Sequence, residues 1–468
     1  MTLARSLLLR LSGNSWIIVF SLFLLLPACK TQDTGEPDTV VIPDGPGSTD
    51  PIPSDSSVVI DGGDTSVIVD TGSSRPLKHP DEIRIAMLLP LYLDTLYEIN
   101  QELRKNKSRE EPLEVRLAND ARQSMDFYLG YVKALSGLRA KDIKVELTLF
   151  DTKNDPAVTQ SILDTAGLIS YNMIIGPMFN SSARLIADYA RENKVWHVLP
   201  FSPSASITSA NPYHLKINPS IGVHLKKLVE FIGERYPGNT ILVPYQTDVS
   251  TEIQLKDEII RLVDIHNINH PDSPLTVDPI GVYEEEGRRT FSISGYLSSA
   301  DSNVVLLPSF DPGFIQNITR QLNKSAEKDF SITLFGMPNW LSYEDLRIDY
   351  LVSLNYHFTR EYDLQVEDEV YESLLKTYKQ EMNGIPSDYH FLGYDLGRYL
   401  TELWISYGHN FSAQMEKEAY EGLYGNYRLA PQFKKALDGD ALELDLYENE
   451  ELFIFKIKDY EVIPALEE

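Results

Sequence analysis

The sequence predicts an α/β protein built as two doubly wound lobes with parallel sheets, and three observations predict it. From Ile83 onward, short β-branched and aliphatic runs alternate with amphipathic helical stretches. Each apolar run ends in loop-forming residues, as parallel strands covered on both faces do. The alternation then repeats as a second set, which makes a second lobe. A length of 468 residues suits two or three domains, and 43% apolar with 10% aromatic residues is enough to build their cores.

The first set opens with Ile83–Leu89, ended by Pro90. A helix over about Leu117–Leu135 follows, with Met125, Tyr128, Leu129, Val132 and Leu135 at helical spacing. Ile143–Phe150 alternates as a strand, and Pro156–Ile169 is a helix with proline in its first turn. Met173–Ile175 is a short buried strand, Ser182–Asn193 a helix and Val195–Leu199 a strand. In the second set, helices over Gly222–Tyr236, Glu252–Ile265, Arg288–Ser299 and Gly313–Leu322 alternate with strands over Asn239–Pro244, Thr276–Tyr283, Val304–Leu307 and Ile332–Phe335. Such Rossmann-like units bind ligands at the carboxyl edges of their strands, so two facing lobes enclose a cleft.

Ahead of this body, Arg5 and Arg10 precede an apolar run from Trp16 to Leu26, then Pro27-Ala28-Cys29, the organisation of a secretory signal peptide over 1–28. Leu-x-Ala-Cys resembles the lipobox of bacterial lipoproteins, which implies a diacylglycerol on the Cys29 sulfur and a mature chain that starts there. Residues 29–79 are rich in Asp, Pro, Gly, Ser and Thr and form an acidic tether, unable to bury enough apolar surface to order itself. As a coil, fifty residues reach on the order of 40 Å. Three β-branched runs, Val40-Val41-Ile42, Val58-Val59-Ile60 and Val67-Ile68-Val69, each lead towards Asp-Gly or Asp-Thr-Gly; they read as low-complexity drift or as strands that add to a sheet edge.

A net charge of −27 disfavours nucleic acid as a partner. Cys29 is the one cysteine, so the chain has no internal disulfide and no cysteine-based metal site. His266 and His270 form H-x-x-x-H in what reads as a polar loop, without a third ligand. No nucleophile elbow, Walker loop or dinucleotide fingerprint is present. Carboxylate runs such as Glu284-Glu285-Glu286 and Glu448-Glu450-Glu451 fit solvated surface. The expectation is a protein without catalysis, metal or cofactor.

Several motifs, in order, carry a resemblance: Ile85-Ala86-Met87-Leu88-Leu89-Pro90-Leu91, Phe150-Asp151-Thr152, Ile174-Ile175-Gly176-Pro177, Leu199-Pro200-Phe201-Ser202-Pro203-Ser204, Tyr213-His214-Leu215-Lys216-Ile217-Asn218-Pro219 and Gly393-Tyr394-Asp395-Leu396-Gly397. Over about Glu82 to Ile463 the chain resembles the type 1 periplasmic binding protein fold, the leucine-binding-protein family, and within it lipoproteins of the amino-acid ABC transporter substrate-binding type. That resemblance implies three hinge crossings, placed near Asn218-Pro219, Glu361-Tyr362 and Tyr427-Arg428. Lobe I is then 80–218 plus 363–426, and lobe II is 219–362 plus 427–468. Tyr92–Val115 departs from the family as a long polar insertion.

Candidate ligand-binding residues follow from the strand ends. Asn180, Ser181 and Ser182 open a helix, where free N–H groups suit a carboxylate or the hydroxyls simply cap. Ser202, Ser204 and Ser206 are ligand contacts or turn chemistry. From lobe II come Gln246, Thr247 and Asp248, with Ser309, Phe310 and Asp311; either aspartate pairs an ammonium or caps a helix. Tyr92 and Trp340 offer an aromatic wall or packing, and Tyr394 and Asp395 read as structural. The expected function is a lipid-anchored envelope protein that captures a small polar, amino-acid-like ligand and presents it to a membrane partner such as a transporter. The alternative is a ligand-free scaffold that activates a cell-wall synthase. By resemblance to Gram-negative sorting signals, Lys30 after the cysteine implies the outer membrane, facing the periplasm.

Overall fold

The computed structural model describes residues 82–94, 119–138, 144–283, 291–435 and 441–466. The signal peptide, Cys29, the tether with its three β-branched runs, Glu284-Glu285-Glu286 and most of the Tyr92–Val115 insertion lie outside the described residues.

The chain opens with β1 (Glu82–Leu89), α1 (Asn119–Leu138), β2 (Lys144–Asp151), α2 (Pro156–Thr165), β3 (Met173–Ile175), α3 (Asn180–Asn193), β4 (Trp196–Leu199) and β5 (His214–Lys216). In β1 the period-two rule is explicit: Ile83, Ile85, Met87 and Leu89 join one core while Ala86 and Leu88 join the core on the other face. All six are fully buried, as a central parallel strand requires. Asp155 caps α2 by accepting from the Ala157 amide at 2.7 Å, and Pro156 fills the first helical position.

The second set is α4 (Ile221–Arg235), β6 (Thr240–Gln246), α5 (Ser250–Asn269), β7 (Thr276–Val282), β8 (Asn303–Leu307), α6 (Pro312–Ala326), β9 (Ile332–Gly336), α7 (Ile348–Ser353) and β10 (His357–Arg360). The helix expected over Arg288–Ser299 is, where described, one 3₁₀ turn at Ile293–Tyr296. His266 and His270 sit at the end of α5 rather than in a loop, with their rings stacked 4.2 Å apart. The chain finishes with α8 (Glu369–Met382), α9 (Asp388–Tyr407), a small hairpin of β11 (Tyr420–Glu421) and β12 (Asn426–Tyr427), then β13 (Leu429–Lys435), β14 (Leu442–Asn449), β15 (Phe453–Lys458) and β16 (Glu461–Pro464).

Two seven-stranded sheets result, ordered β13-β14-β5-β4-β3-β1-β2 and β16-β15-β10-β9-β8-β6-β7. Each holds a parallel five-strand unit in the same doubly wound order, and in each the last two strands add antiparallel pairs, so the sheets are mixed rather than parallel throughout. The third crossing differs from its expected position. Residues 429–449 do not enter lobe II at Tyr427-Arg428: β14 pairs with β5 through Tyr447–Leu215 and Glu448–Lys216 and completes the first sheet. Leu429 and Tyr427 are buried in the first lobe's core, which holds this segment there, and the chain crosses only between Asn449 and Phe453.

That crossing explains a second correction. Glu448 is not on a solvated run: it is 7% exposed and accepts from Lys216 Nζ at 2.9 Å and from the Ser220 amide at 2.5 Å. Burial pulls the Lys216 ammonium below its ordinary range, against the opposing pull of Glu448. Nearby, His197 Nε2 meets Gly176 O at 2.7 Å and its Nδ1 meets that of His214 at 3.0 Å, while His224 Nδ1 meets Thr359 Oγ1 at 2.7 Å.

Lobe I also holds an unusually close helix pair. A side chain at Gly130 of α1 would start 1.9 Å from His390 O, and one at Gly393 of α9 would start 2.1 Å from Phe127 O. Backbone contact of this kind requires glycine and fixes where α9 begins. Asp395, two residues on, accepts from the Leu423, Tyr424 and Gly425 amides at 3.0, 2.7 and 3.1 Å, so it holds the β11–β12 turn.

Candidate functional site

The carboxyl ends of the first sheet consume most of their own polar groups. Asp151, closing β2, accepts from the Leu91, Tyr92 and Lys153 amides on one oxygen and from Leu93 on the other, at 2.8 to 3.1 Å. Tyr92 takes a left-handed φ of 54° in this turn, and its hydroxyl is bound to Asp120 at 3.3 Å. Ser182 is 2% exposed and accepts from Thr159 at 2.9 Å, stitching α3 to α2. Ser181 donates to Asn154 at 3.0 Å, and Asn180 is the first residue of α3. Ser202 accepts from the Ser204 amide at 3.2 Å, and Ser204 meets the Ser206 hydroxyl at 3.0 Å. The serine ladder is turn chemistry.

The second sheet brings three of the predicted residues together around one that sequence reasoning missed. Glu252, 2% exposed in the first turn of α5, takes the Gln246 amide at 2.6 Å, Gln246 Nε2 at 3.0 Å and the Ser309 hydroxyl at 2.5 Å. Gln246 Nε2 also reaches Asp311 at 3.2 Å, while the other Asp311 oxygen caps α6 at Gly313 and Phe314. The available signal was a glutamate at the third helical position, where it reaches back to a preceding backbone N–H. Asp248 is exposed and outside this network. Trp340 is not a cleft wall: it is fully buried, stacks on Tyr356 at 5.1 Å and donates to Ser309 O at 2.9 Å.

A different arrangement stands where the chain crosses from β10 back to lobe I. Glu361 and Tyr362 follow β10, and the Tyr362 ring lies 4.8 Å from that of Tyr424 with 9° between planes. Asp388 and Tyr389 open α9, and Tyr389 packs at 5.7 Å on Phe201, which follows β4. This corner therefore touches strand ends of both sheets. Crowding holds the carboxyls of both Glu361 and Asp388 above their usual range, although Glu361 is only half-buried and Asp388 remains open to solvent on one side. Burial, with the charges of Asp388 and Glu361 beside it, pushes the Tyr389 phenol up to about 12. Among the described residues, no other side chain forms a hydrogen bond or ion pair with either carboxylate. Arg360 acts on Glu361 by charge and lies over the rings of Phe358, Phe455 and Tyr362 at 5.1, 5.4 and 5.9 Å. The sequence holds a signal here, two acid–tyrosine dipeptides, but periodicity cannot join positions 361, 388 and 424.

Among the described residues there is no group of three or more potential metal ligands, and no helix long and apolar enough to cross a membrane.

No protein-family model matches the sequence, and no curated protein does. Solved structures do. A branched-chain amino acid ABC transporter protein from Rhodospirillum rubrum is 10% identical with a TM-score of 0.52, covering 82% of this chain and 100% of its own. An ABC-type branched-chain amino acid transporter protein from Rhodopseudomonas palustris is 14% identical with a TM-score of 0.50, covering 82% and 95%. LpoA from Haemophilus influenzae is 12% identical with a TM-score of 0.47, covering 83% of this chain and 60% of its own. Likeness at such identity is likeness of fold: the chain has the two-lobed type 1 periplasmic binding protein fold that its motifs resemble.

Proposed function

We propose that this chain is a non-catalytic, lipid-anchored envelope protein that captures a small polar, amino-acid-like ligand between its lobes and presents it to a membrane partner. The observation that carries this reading is the corner at Glu361 and Asp388, where strand ends of both sheets meet two carboxylates that no other described side chain bonds. Cys29 supplies the anchor, its acyl chains seated in the outer membrane with the body facing the periplasm. A transporter is the partner this fold suits. Calorimetric titration against amino acids, short peptides and sugars tests capture, with heat of binding and a raised melting temperature expected for at least one. Metabolic labelling with a fatty acid tests the anchor; Cys29→Ser abolishes the label.

One observation favours a second reading. Ser182, Ser202 and Ser204, the hydroxyls that a ligand in lobe I would use, are already engaged within the protein. A ligand-free scaffold that activates a cell-wall synthase needs no such groups. Failure of every small molecule to bind, with co-purification of a cell-wall synthase, selects this reading over capture.

A further inference from the structure

We infer that Asn383 is a site of spontaneous covalent modification, losing its side-chain amide through a cyclic imide to leave aspartate and isoaspartate. The inference is independent of ligand capture and concerns the link between α8 and α9.

Asparagine converts in this way when the backbone nitrogen of the next residue can reach its side-chain carbonyl carbon. Two conditions favour that approach: a following residue with no Cβ to obstruct it, and a nitrogen that no hydrogen bond holds. Asn383-Gly384 is the one Asn-Gly pair in the sequence. Asn383 follows the last turn of α8 in the left-handed conformation, with φ 50° and ψ 38°, and its own amide donates to Lys379 O at 3.1 Å. The next amide, that of Gly384, makes no hydrogen bond among the described residues, and neither does the Asn383 side chain. Asn383 is exposed, so water and base reach it. Ring closure needs the 383–384 peptide to swing towards the side chain, and no hydrogen bond from Gly384 resists that swing.

Gly384 is not demanded by the turn. It lies outside the left-handed region, and a Cβ on it would meet Met382 O at 3.8 Å and Tyr378 Cε1 at 3.9 Å, ordinary contact distances. Asn180-Ser181 is the described pair with the next smallest following side chain, but both of its residues lie in the helical backbone of α3.

The chemistry balances with water as the one co-reactant. The deprotonated Gly384 nitrogen bonds to Asn383 Cγ, the Cγ–Nδ2 bond breaks and ammonia leaves. Water then opens the ring: attack on Cγ gives aspartate, and attack on the backbone carbonyl gives isoaspartate with one more carbon in the main chain. Either product puts a carboxylate at the C-terminus of α8, where the helix already carries partial negative charge. The change falls in a link that is fastened further on. Ile385 O accepts from Arg122 at 3.1 Å, and Ser387 gives its amide and hydroxyl to Asp126 at 3.0 and 2.6 Å.

The test ages the full chain in mildly alkaline buffer made with heavy-oxygen water and follows it by peptide mass spectrometry, beside Gly384→Ala and a urea-unfolded sample. The expected result is one heavy oxygen gained at Asn383 before any other described asparagine, with isoaspartate present, and a rate at least tenfold lower in Gly384→Ala. Should that variant not fold, Asn383→Gln serves in its place, since its longer side chain must close a larger ring, and the same slowing is expected. Labelling at this position in the unfolded sample alone overturns the inference, because the fold then protects the pair. An unchanged rate in the variant, or earlier labelling at another described asparagine, also overturns it.

Discussion

The strand-end loops of lobe I and the corner between the lobes are built from similar polar residues and treat them in opposite ways. Around Asp151 the turn uses both oxygens, receiving four backbone amides, and Ser202 and Ser204 bond to their own neighbours. At the corner the Glu361 carboxylate is met by its own backbone amide, while the Asp363 amide donates to Tyr424 O at 2.9 Å. No other described side chain forms a hydrogen bond with the Glu361 or Asp388 carboxylate. A hydroxyl or carboxylate at a strand end is thus a binding group only when local turn chemistry does not use it first.

The largest effect is expected at the buried ion pair of Lys216 and Glu448, where the carboxylate takes both an ammonium and a backbone amide. Lys216→Ala leaves Glu448 buried without its ammonium partner and should cost about 3–5 kcal/mol, read from the shift in urea midpoint. A midpoint shift below about 1 kcal/mol would break the contrast, since Glu448 would then be no better satisfied than Glu361. Acid should expose the same interior. Burial holds His197 down at about 4 and His224 at about 3. A histidine with a depressed folded pKa contributes stability that is present above its unfolded pKa and lost as pH falls towards the folded value. Unfolding measured from pH 7 to pH 5 should show a loss of about 2 kcal/mol for each of these two histidines, and His224→Gln should remove its share. The smallest effect belongs to the serine ladder. Ser204→Ala should change stability by less than about 0.5 kcal/mol and leave any ligand affinity unaltered; a large loss of affinity would return that loop to the binding site.

The architecture was legible from Ile83 onward because central parallel strands are buried on both faces and read as unbroken apolar runs, as Ile174 and Val305 illustrate in β3 and β8. The last four strands were not. In β14 the order Leu442-Glu443-Leu444-Asp445-Leu446 alternates acids with leucines, and the carboxylates that follow read as solvated although Glu448 faces Lys216. Which partner a charged residue meets is a long-range fact, here one of 232 positions. The site divides in the same way. Gln246, Ser309 and Asp311 could be singled out because strand ends announce them, but they bond to Glu252 and to one another. Glu252 was missed because it lies inside a helix, and the corner was missed because three distant segments compose it.

The late placement of β13 to β16 has a consequence for biosynthesis. Residues 429–449 finish the first sheet and residues 453–464 finish the second, so neither lobe has its full complement of strands until this stretch has been synthesised. Before that moment β5 and β10 each present a bare hydrogen-bonding edge to the surrounding medium, the condition under which nascent chains associate wrongly. Both lobes therefore mature almost together and late, and a ribosome stalled near codon 428 would release two unfinished halves rather than one finished lobe and one fragment.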